Sequence, residues 1–476
     1  MSYQEMTLKK WIEEVVNEPC TVMKNLPLSG SNRRYIRVFF ASKNTLIGVY
    51  NEDIRENEAF FYWTRVFAER GIRVPKLLNI DHQRQYYLLE DLGDETLYSF
   101  LTLHRHSATD MGEEVKALYE QAVEQLPRLQ TSGKNADFSR CYPRPAFDKQ
   151  SMQWDLNYFK YYFLKLAGIS FDEQKLENDF NTLIQFLLQT DSEYFLYRDF
   201  QSRNLMIRDG NIYFIDYQGG RKGALQYDIA SLLYDAKANL PPSFRAYLLE
   251  RYLNALEQII PVRRKDFLVS YPAFVLIRVL QSMGTYGFRG YYERKAHFLQ
   301  SIPYAIRNIA SLLEQSSFRI HIPELQRVLT EMVGASEWSE HGKKEDILTV
   351  HVGSFSYKKG IPANLTAHGG GFVFDCRSLP NPGREMQYQQ LSGKDMKVIQ
   401  FMEKHEETHF FKSKVFAIAD HAVENYLTRN FNYISILFGC TGGQHRSVYF
   451  AESMAKHLQE KYPAIQVKLK HENEVW

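Results

Sequence analysis

Only four cysteines, Cys20, Cys141, Cys376 and Cys440, are spread over 476 residues. So sparse a set supports neither a disulfide framework nor a zinc signature, and it fits a reducing cytoplasmic compartment. No run of 18 consecutive apolar residues occurs, so no membrane-spanning helix is expected. Met1-Ser-Tyr-Gln-Glu5 has no basic stretch leading into an apolar one, so no secretory signal is expected either. Charge of one sign is also missing. Lys+Arg total 58 against 56 Asp+Glu, a net +2, which excludes a bulk polyanion binder and leaves local patches open. There is no internal repeat and no low-complexity tract. What is present is ordinary globular material, 44% hydrophobic and 24% charged, in a length that suggests two to three domains. Histidine is uneven: of 14, eight follow position 345, which points to a second region with its own chemistry.

Periodicity divides the chain. Tyr35–Phe40 and Thr45–Tyr50 read as a strand pair around a turn, Glu56–Arg70 as a helix closed by Gly71, and Tyr86–Asp91 as another strand. From Leu97 to about Leu188 the pattern is mainly helical. Short strands return from Tyr194 to Tyr217, and residues 225–333 are helical again. Trp154, Tyr158, Tyr161, Tyr162 and Leu166 recur at helical spacing and are expected in the core. Residues 334–345 are polar and aperiodic and read as a linker. Beyond it, strands are expected at 347–352, 371–376, 415–419, 433–438 and 465–469, with helices at 394–405, 421–429 and 444–461. The expected architecture is α+β: a two-lobed domain (1–333), its small mostly-β lobe followed by a larger mostly-helical one, and then a smaller α/β domain (346–476).

The first chemical constellation is Tyr197-Arg-Asp-Phe-Gln-Ser-Arg-Asn204, followed by Ile215-Asp216-Tyr217. Phosphoryl transfer from ATP needs one carboxylate to orient the attacking hydroxyl. It also needs an amide oxygen and a second carboxylate to hold Mg²⁺ on the phosphates. Asp199, Asn204 and Asp216 supply these types in the required order. Each type alone also favours turns, so the argument lies in the set. Upstream, Leu28-Ser-Gly-Ser-Asn-Arg-Arg-Tyr35 is a polar turn suited to covering phosphates with Ser29, Gly30, Ser31 and Arg34. Glu90-Asp-Leu92-Gly93 ends a strand where a hinge for the adenine would lie.

These pieces, with Asp228-Ile-Ala-Ser-Leu-Leu-Tyr-Asp235, resemble the aminoglycoside phosphotransferase family of kinase-like enzymes. Within it, Ser29–Arg37, Ile215–Gly219 and Leu280–Phe288 are similar to bacterial kinases of the anomeric hydroxyl of cell-wall amino sugars. The resemblance implies Asp199 as base, Asn204 and Asp216 as Mg²⁺ ligands, ATP as cofactor and a small sugar as substrate. Two departures stand out. Tyr197 occupies the usual His position, and the strand Ile47-Gly-Val-Tyr50 has no Lys for the α/β-phosphates. The charge then falls to Arg34 or Arg37, and the Glu58 of the following helix is left without its usual partner.

The second constellation is Phe438-Gly-Cys-Thr-Gly-Gly-Gln-His-Arg-Ser-Val448, between an apolar strand and a helix. Gly442 and Gly443 permit close backbone approach, and bare N–H groups at the helix start favour an anion. Cys440 and Arg446 also match the Cys-x5-Arg-Ser spacing of cysteine phosphatases. Upstream, Asp375 and Arg377 end a strand. Together these runs resemble the C-terminal domain of the RapZ family of RNase adapters, over about 346–476. That resemblance implies an amino-sugar phosphate lined by Asp375, Arg377, Cys440, Thr441, Gly442, Gly443, His445 and Arg446. It also implies homo-oligomers and RNA as a partner. Against RNA, two Glu offset two Lys in Lys468–Trp476. His405 and His409 stand at metal-ligand spacing on a helix, without a third ligand placed by sequence. Three readings remain open: a sugar kinase with a sugar-phosphate-sensing domain, a degenerate kinase lobe with a metabolite- or RNA-binding module, and a phosphatase built on Cys440.

Overall fold

The computed structural model describes residues 3–27, 33–42, 44–107, 110–134, 136–314, 320–335, 347–362, 370–429, 431 and 433–472. Ser29, Gly30 and Ser31 lie outside the described residues, as do 336–345 of the expected linker. The chain divides into two compact units. One is Met1–Gly284 with Tyr304–Gly334, and the other is Thr285–Pro303 with Ala335–Trp476. The segment Thr285–Pro303 therefore groups with the second unit, where the sequence pattern alone placed it in the first.

In the first unit, strands β1 (Cys20–Asn25), β2 (Arg34–Phe40), β3 (Thr45–Tyr50), β4 (Leu77–Ile80) and β5 (Tyr86–Glu90) form an antiparallel sheet of order β1-β2-β3-β5-β4. Alternation gives the sheet two faces. Ile36, Val38 and Phe40 pack against Leu8 and Ile12 of helix α1 (Tyr3–Val16). Helix α2 (Ile54–Glu69) starts where Asp53 accepts the backbone N–H groups of Arg55 and Glu56, a cap that typically contributes about 1 kcal/mol. It buries Phe60, Phe61, Trp63 and Phe67. Each such burial stabilises by roughly 1.5–3 kcal/mol. Trp63 sits 4.3 Å from the Phe195 ring and Phe60 stacks on Tyr217, so α2 is bonded to the loops below the sheet.

Below lie the helices Leu97–His104, Glu113–Thr131, Lys149–Phe159, Glu173–Leu187, Pro242–Glu257 and Arg264–Tyr286. Between them run two small antiparallel pairs. One joins β6 (Tyr194–Leu196) to β9 (Arg221–Gly223), and the other joins β7 (Leu205–Arg208) to β8 (Asn211–Phe214). A sheet lobe followed by a helical lobe is the expected two-lobed plan. One core expectation fails: Trp154 and Tyr161 are each 47% exposed, and Leu166 is 44% exposed. The buried positions of that stretch are Met152, Leu156, Phe159, Phe163 and Leu164. Met152, Leu156, Phe159 and Phe163 keep ordinary helical spacing on another face, so periodicity reports two apolar stripes and packing decides which one is inside. Among the described residues one helix, Arg264–Tyr292, is long and apolar enough to cross a membrane by length and composition. In the protein 72% of its apolar window is buried, as in a core helix.

The second unit holds β10 (Thr349–Ser356), β11 (Gly371–Asp375), β12 (Tyr433–Cys440) and β13 (Gln466–His471) in a sheet of order β11-β12-β10-β13, every pair parallel. Val350, Val352, Ile434, Ile436 and Phe438 face Phe450 and Met454 of the helix Arg446–Lys461 in one core. The expected strand at 415–419 is instead the middle of the helix Glu406–Thr428. Val415, Ala419 and Val423 are its buried face, spaced by four, and a five-residue apolar run cannot report that longer period. Because all strands are parallel, β10, β11 and β12 end together, with Ser356 beside Cys440 and Asp375 beside Gly439.

Candidate functional site

In the first unit the loop between β6 and β7 is fixed from behind by two buried carboxylates. Asp228 accepts the backbone N–H groups of Tyr197 (2.8 Å) and Arg198 (3.1 Å) and a Gln130 amide N–H (3.1 Å). Asp235 accepts the Ser202 hydroxyl at 2.9 Å. Burial pushes the Asp228 carboxyl up to about 7. Arg198 is held in the left-handed region (φ 84°) by a bidentate pair with Asp155 at 2.6 and 2.7 Å. Such strain persists only where surrounding contacts over-determine it. Tyr197 shows what replaces the usual His: it is buried, and its hydroxyl donates to the carbonyl of Ile215, the residue before Asp216. The ring thereby ties the base loop to the second carboxylate.

The loop brings the three sequence-predicted residues together. Asn204 donates its amide N–H to the Asp199 carbonyl at 2.8 Å and to the Asp216 carboxylate at 3.3 Å. The Ile215 N–H returns to the Asn204 carbonyl at 3.1 Å. Asp216 also has a positive φ (67°) and accepts from Gln218 at 2.8 Å. It opens to solvent but is hemmed by protein, and this burial, reinforced by the negative charge of Asp199, pushes its carboxyl up. Asp216 and the Asn204 amide supply hard oxygens of the kind Mg²⁺ takes, so the residues present fit that ion. Sequence reasoning missed Arg278, a buried side chain whose guanidinium lies 3.7 Å from Asp199 and donates to Ser231 at 2.8 Å.

On the sheet lobe the cations are placed differently from expectation. Arg34 is exposed on β2 and makes no ion pair among the described residues. Arg37 is committed to the hinge: it pairs with Asp91 at 2.6 Å and Asp94 at 2.8 Å and donates to the Gly93 carbonyl at 2.9 Å. It is therefore a clamp for the hinge and has no charge to spare for phosphate. Glu58 does have a partner, Arg84. The acid of α2 that faces a buried cation is Glu56, 3.0 Å from Arg33. At the hinge Leu92 is buried and Glu90 pairs with Arg208 at 2.7 Å. No spacing rule singles out Arg33 in sequence, because it stands next to an equally basic neighbour.

In the second unit the glycine loop follows β12 and opens the helix Arg446–Lys461, which has no side-chain cap. The Cys440 thiol is buried, accepts the Gly443 N–H at 3.2 Å and lies 3.1 Å from the Ser447 hydroxyl. Arg446 departs from expectation. It is buried and donates to the carbonyls of Arg377 (2.9 Å) and Leu379 (3.0 Å), bracing the segment that leaves β11. His445 pairs with the Tyr388 carbonyl at 2.8 Å and Gln444 donates to Gln389 and Leu391. The loop 388–393 lies so close that a side chain at Gly393 would come 2.3 Å from the backbone of His445 and Tyr449. What faces solvent is Thr441, Gly442, Asp375 and Arg377. Arg377 pairs with Asp375 at 2.6 Å and lies over the Tyr357 ring at 3.9 Å, an aromatic partner the sequence did not reveal.

The remaining C-terminal histidines in the described residues serve structure. His405 and His409 pair with the backbone carbonyls of Phe401 and Glu403, and His457 pairs with Asp420. His471 lies 2.7 Å from the Ser354 hydroxyl and 3.1 Å from Glu452. That last chain resembles a hydrolase triad only in its residue types, since Ser354 is 1% exposed and no substrate reaches it.

Residues 30–262 match the phosphotransferase enzyme family, and residues 348–474 match the RapZ C-terminal domain. A nucleotide-binding protein of Acidobacterium capsulatum is 36% identical over 166 residues, covering 35% of this chain and 50% of that one. One of Xylella fastidiosa is 35% identical over 152 residues, covering 32% and 47%. The chain thus spans about half the length of the curated relatives it matches. Among solved structures, an ethanolamine kinase of Plasmodium vivax has a TM-score of 0.45 at 13% identity, covering 65% of this chain and 88% of that one. A choline kinase of Cryptosporidium parvum also has a TM-score of 0.45, at 14% identity, covering 69% and 99%. The chain therefore joins a kinase-like domain of the phosphotransferase enzyme family to a RapZ C-terminal domain.

Proposed function

We propose that the first unit transfers the γ-phosphoryl group of ATP to a hydroxyl of a small molecule, the anomeric hydroxyl of an N-acetylated amino sugar. The observation that carries the reading is the convergence of Asp199, Asn204 and Asp216 through the 2.8 and 3.3 Å bonds of the Asn204 amide. Asp199 orients the acceptor hydroxyl and takes its proton as the oxygen attacks phosphorus. Asn204 and Asp216 are the groups that would hold Mg²⁺, which supplies charge neutralisation on the phosphates. Catalysis of this kind is positioning plus electrostatic stabilisation, which is why the loop is braced at Asp228, Asp235 and Tyr197. The second unit binds an amino-sugar phosphate at the shared end of its strands and reports it to the kinase. Arg377 and the Thr441–Gly442 backbone meet the phosphate, and Asp375 meets hydroxyl or amine groups.

The test is ATP consumption by the full chain over a panel of amino sugars, with and without sugar phosphates, beside Asp199→Ala. Turnover on an N-acetylated amino sugar that the variant loses supports the reading. A folded wild type that turns over none of them sinks it. Turnover indifferent to every sugar phosphate removes the sensing role.

A further inference from the structure

Phosphoryl transfer places a cation over the α/β-phosphates of the nucleotide, and β3 offers none. Strand alternation shows which positions face the cleft. Ile36 and Val38 of β2 point at α1, and a side chain at Gly48 of β3 would meet Leu8 and Ile12 of α1. The opposite face carries Tyr35 and Arg37 of β2, paired with Val49 and Ile47 of β3. Both β3 residues on that face are apolar and buried, so the charge must come from elsewhere. Arg37 is committed to Asp91 and Asp94.

Arg33 continues the same alternation one step before β2 begins. It is 1% exposed, although burying a guanidinium carries a desolvation cost of several kcal/mol. Glu56, in the first turn of α2, lies 3.0 Å away. The guanidinium donates to the Tyr35 hydroxyl at 3.1 Å and lies 6.0 Å from the Phe60 ring. The cation thus stands beside the first turn of α2, held by an acid on one side.

We propose that Arg33, oriented by Glu56, binds the α/β-phosphates of the nucleotide and so does the work of the absent strand lysine. The assignment rests on the kinase reading above. Both halves of the usual cation–acid pair are kept, but the cation moves to the head of β2 and the acid to the first turn of α2. Arginine suits the move because its planar fork can hold a carboxylate with one edge and a phosphate with another, which a lysine ammonium does not do.

The experiment uses the full chain and reads Mg-ATP affinity directly, with a fluorescent ATP analogue displaced by ATP, so that no acceptor need be known. Where an acceptor is found, KM for ATP and for the acceptor are measured separately. Arg33→Met should weaken ATP at least tenfold and leave the acceptor KM within twofold. Arg33→Lys should fall between that variant and wild type, and Glu56→Gln should weaken ATP several-fold. Folding is checked by the thermal midpoint. If Arg33→Met does not fold, Arg33→Lys and Glu56→Gln decide. Folded variants that bind ATP within twofold of wild type overturn the assignment while leaving the kinase reading intact. A wild type that binds no Mg-ATP overturns both.

Discussion

Two loops of this chain follow a strand and gather charged side chains, yet they are built on opposite principles. In the loop of the first unit the charges are left in tension. Burial and the negative charge of Asp199 raise the Asp216 carboxyl, and Arg198 and Asp216 hold left-handed backbone conformations without being glycine. In the loop of the second unit Arg377 pairs with Asp375 and Arg446 donates to two carbonyls while its buried Nε has no partner among the described residues, and the left-handed position is a glycine, Gly443. Backbone strain held in place by surrounding contacts suits a loop built for chemistry. A relaxed loop of backbone N–H groups suits reversible binding. The same contrast bears on Cys440: its loop lacks an arginine turned to the anion, so a phosphatase is disfavoured.

The largest expected effect is at the strained loop. Asp199→Ala should lower turnover by about 10²- to 10⁴-fold with ATP affinity little changed, as measured by initial rates against binding. An equal loss in ATP affinity would break the comparison, since Asp199 would then be part of the binding loop. Next, Gly393→Val should destabilise the second unit by about 1–3 kcal/mol or more, read as a lower thermal midpoint, because its side chain meets backbone at 2.3 Å. With glucosamine-6-phosphate as the probe for the proposed amino-sugar phosphate site, Arg377→Ala should weaken binding roughly tenfold, the loss of one charged hydrogen bond, checked by calorimetry. Wild-type protein should release no phosphate from an aryl phosphate. Release that disappears in Cys440→Ser would falsify the view of the second loop as a binding device.

The smallest effect is a drift with pH. Burial raises the Asp228 carboxyl to about 7, above the usual carboxylate range. A group raised by folding holds its proton more tightly in the folded state, so its contribution favours the fold at low pH. That contribution is lost as pH climbs from about 4 through about 7, because over that range the native state binds more protons than the unfolded one. Urea unfolding at pH 5 and pH 8 should show it, and Asp228→Asn should flatten the slope.

Much of the site was legible before any tertiary contact was known. Asp199, Asn204 and Asp216 were readable because residue type and order, set between β-rich runs, are local properties. The strands of the second unit were readable for the same reason, except that five apolar residues at 415–419 matched a strand as well as the helix they occupy. The cations were not readable. Arg33, Arg34 and Arg37 differ only in which way alternation turns them and in what acid stands nearby, and Glu56 and Glu58 are distinguished only by the side of α2 they face. For Arg446, spacing from Cys440 does not say that the carbonyls of Arg377 and Leu379 lie within reach.

By itself the sequence determined the division of the chain: an Asp–Asn–Asp set in a kinase-like domain in the first part and a glycine-rich loop after a strand in the second. These follow from short runs whose chemistry is fixed by residue type and spacing. Only the tertiary structure decided which charges are spent on architecture and which are kept for a ligand. That outcome depends on carboxylates, carbonyls and aromatic rings brought together from distant segments: Asp91 to Arg37, Arg84 to Glu58, Glu56 to Arg33. Electrostatic energy depends on distance through space, and spacing along the chain does not determine that distance.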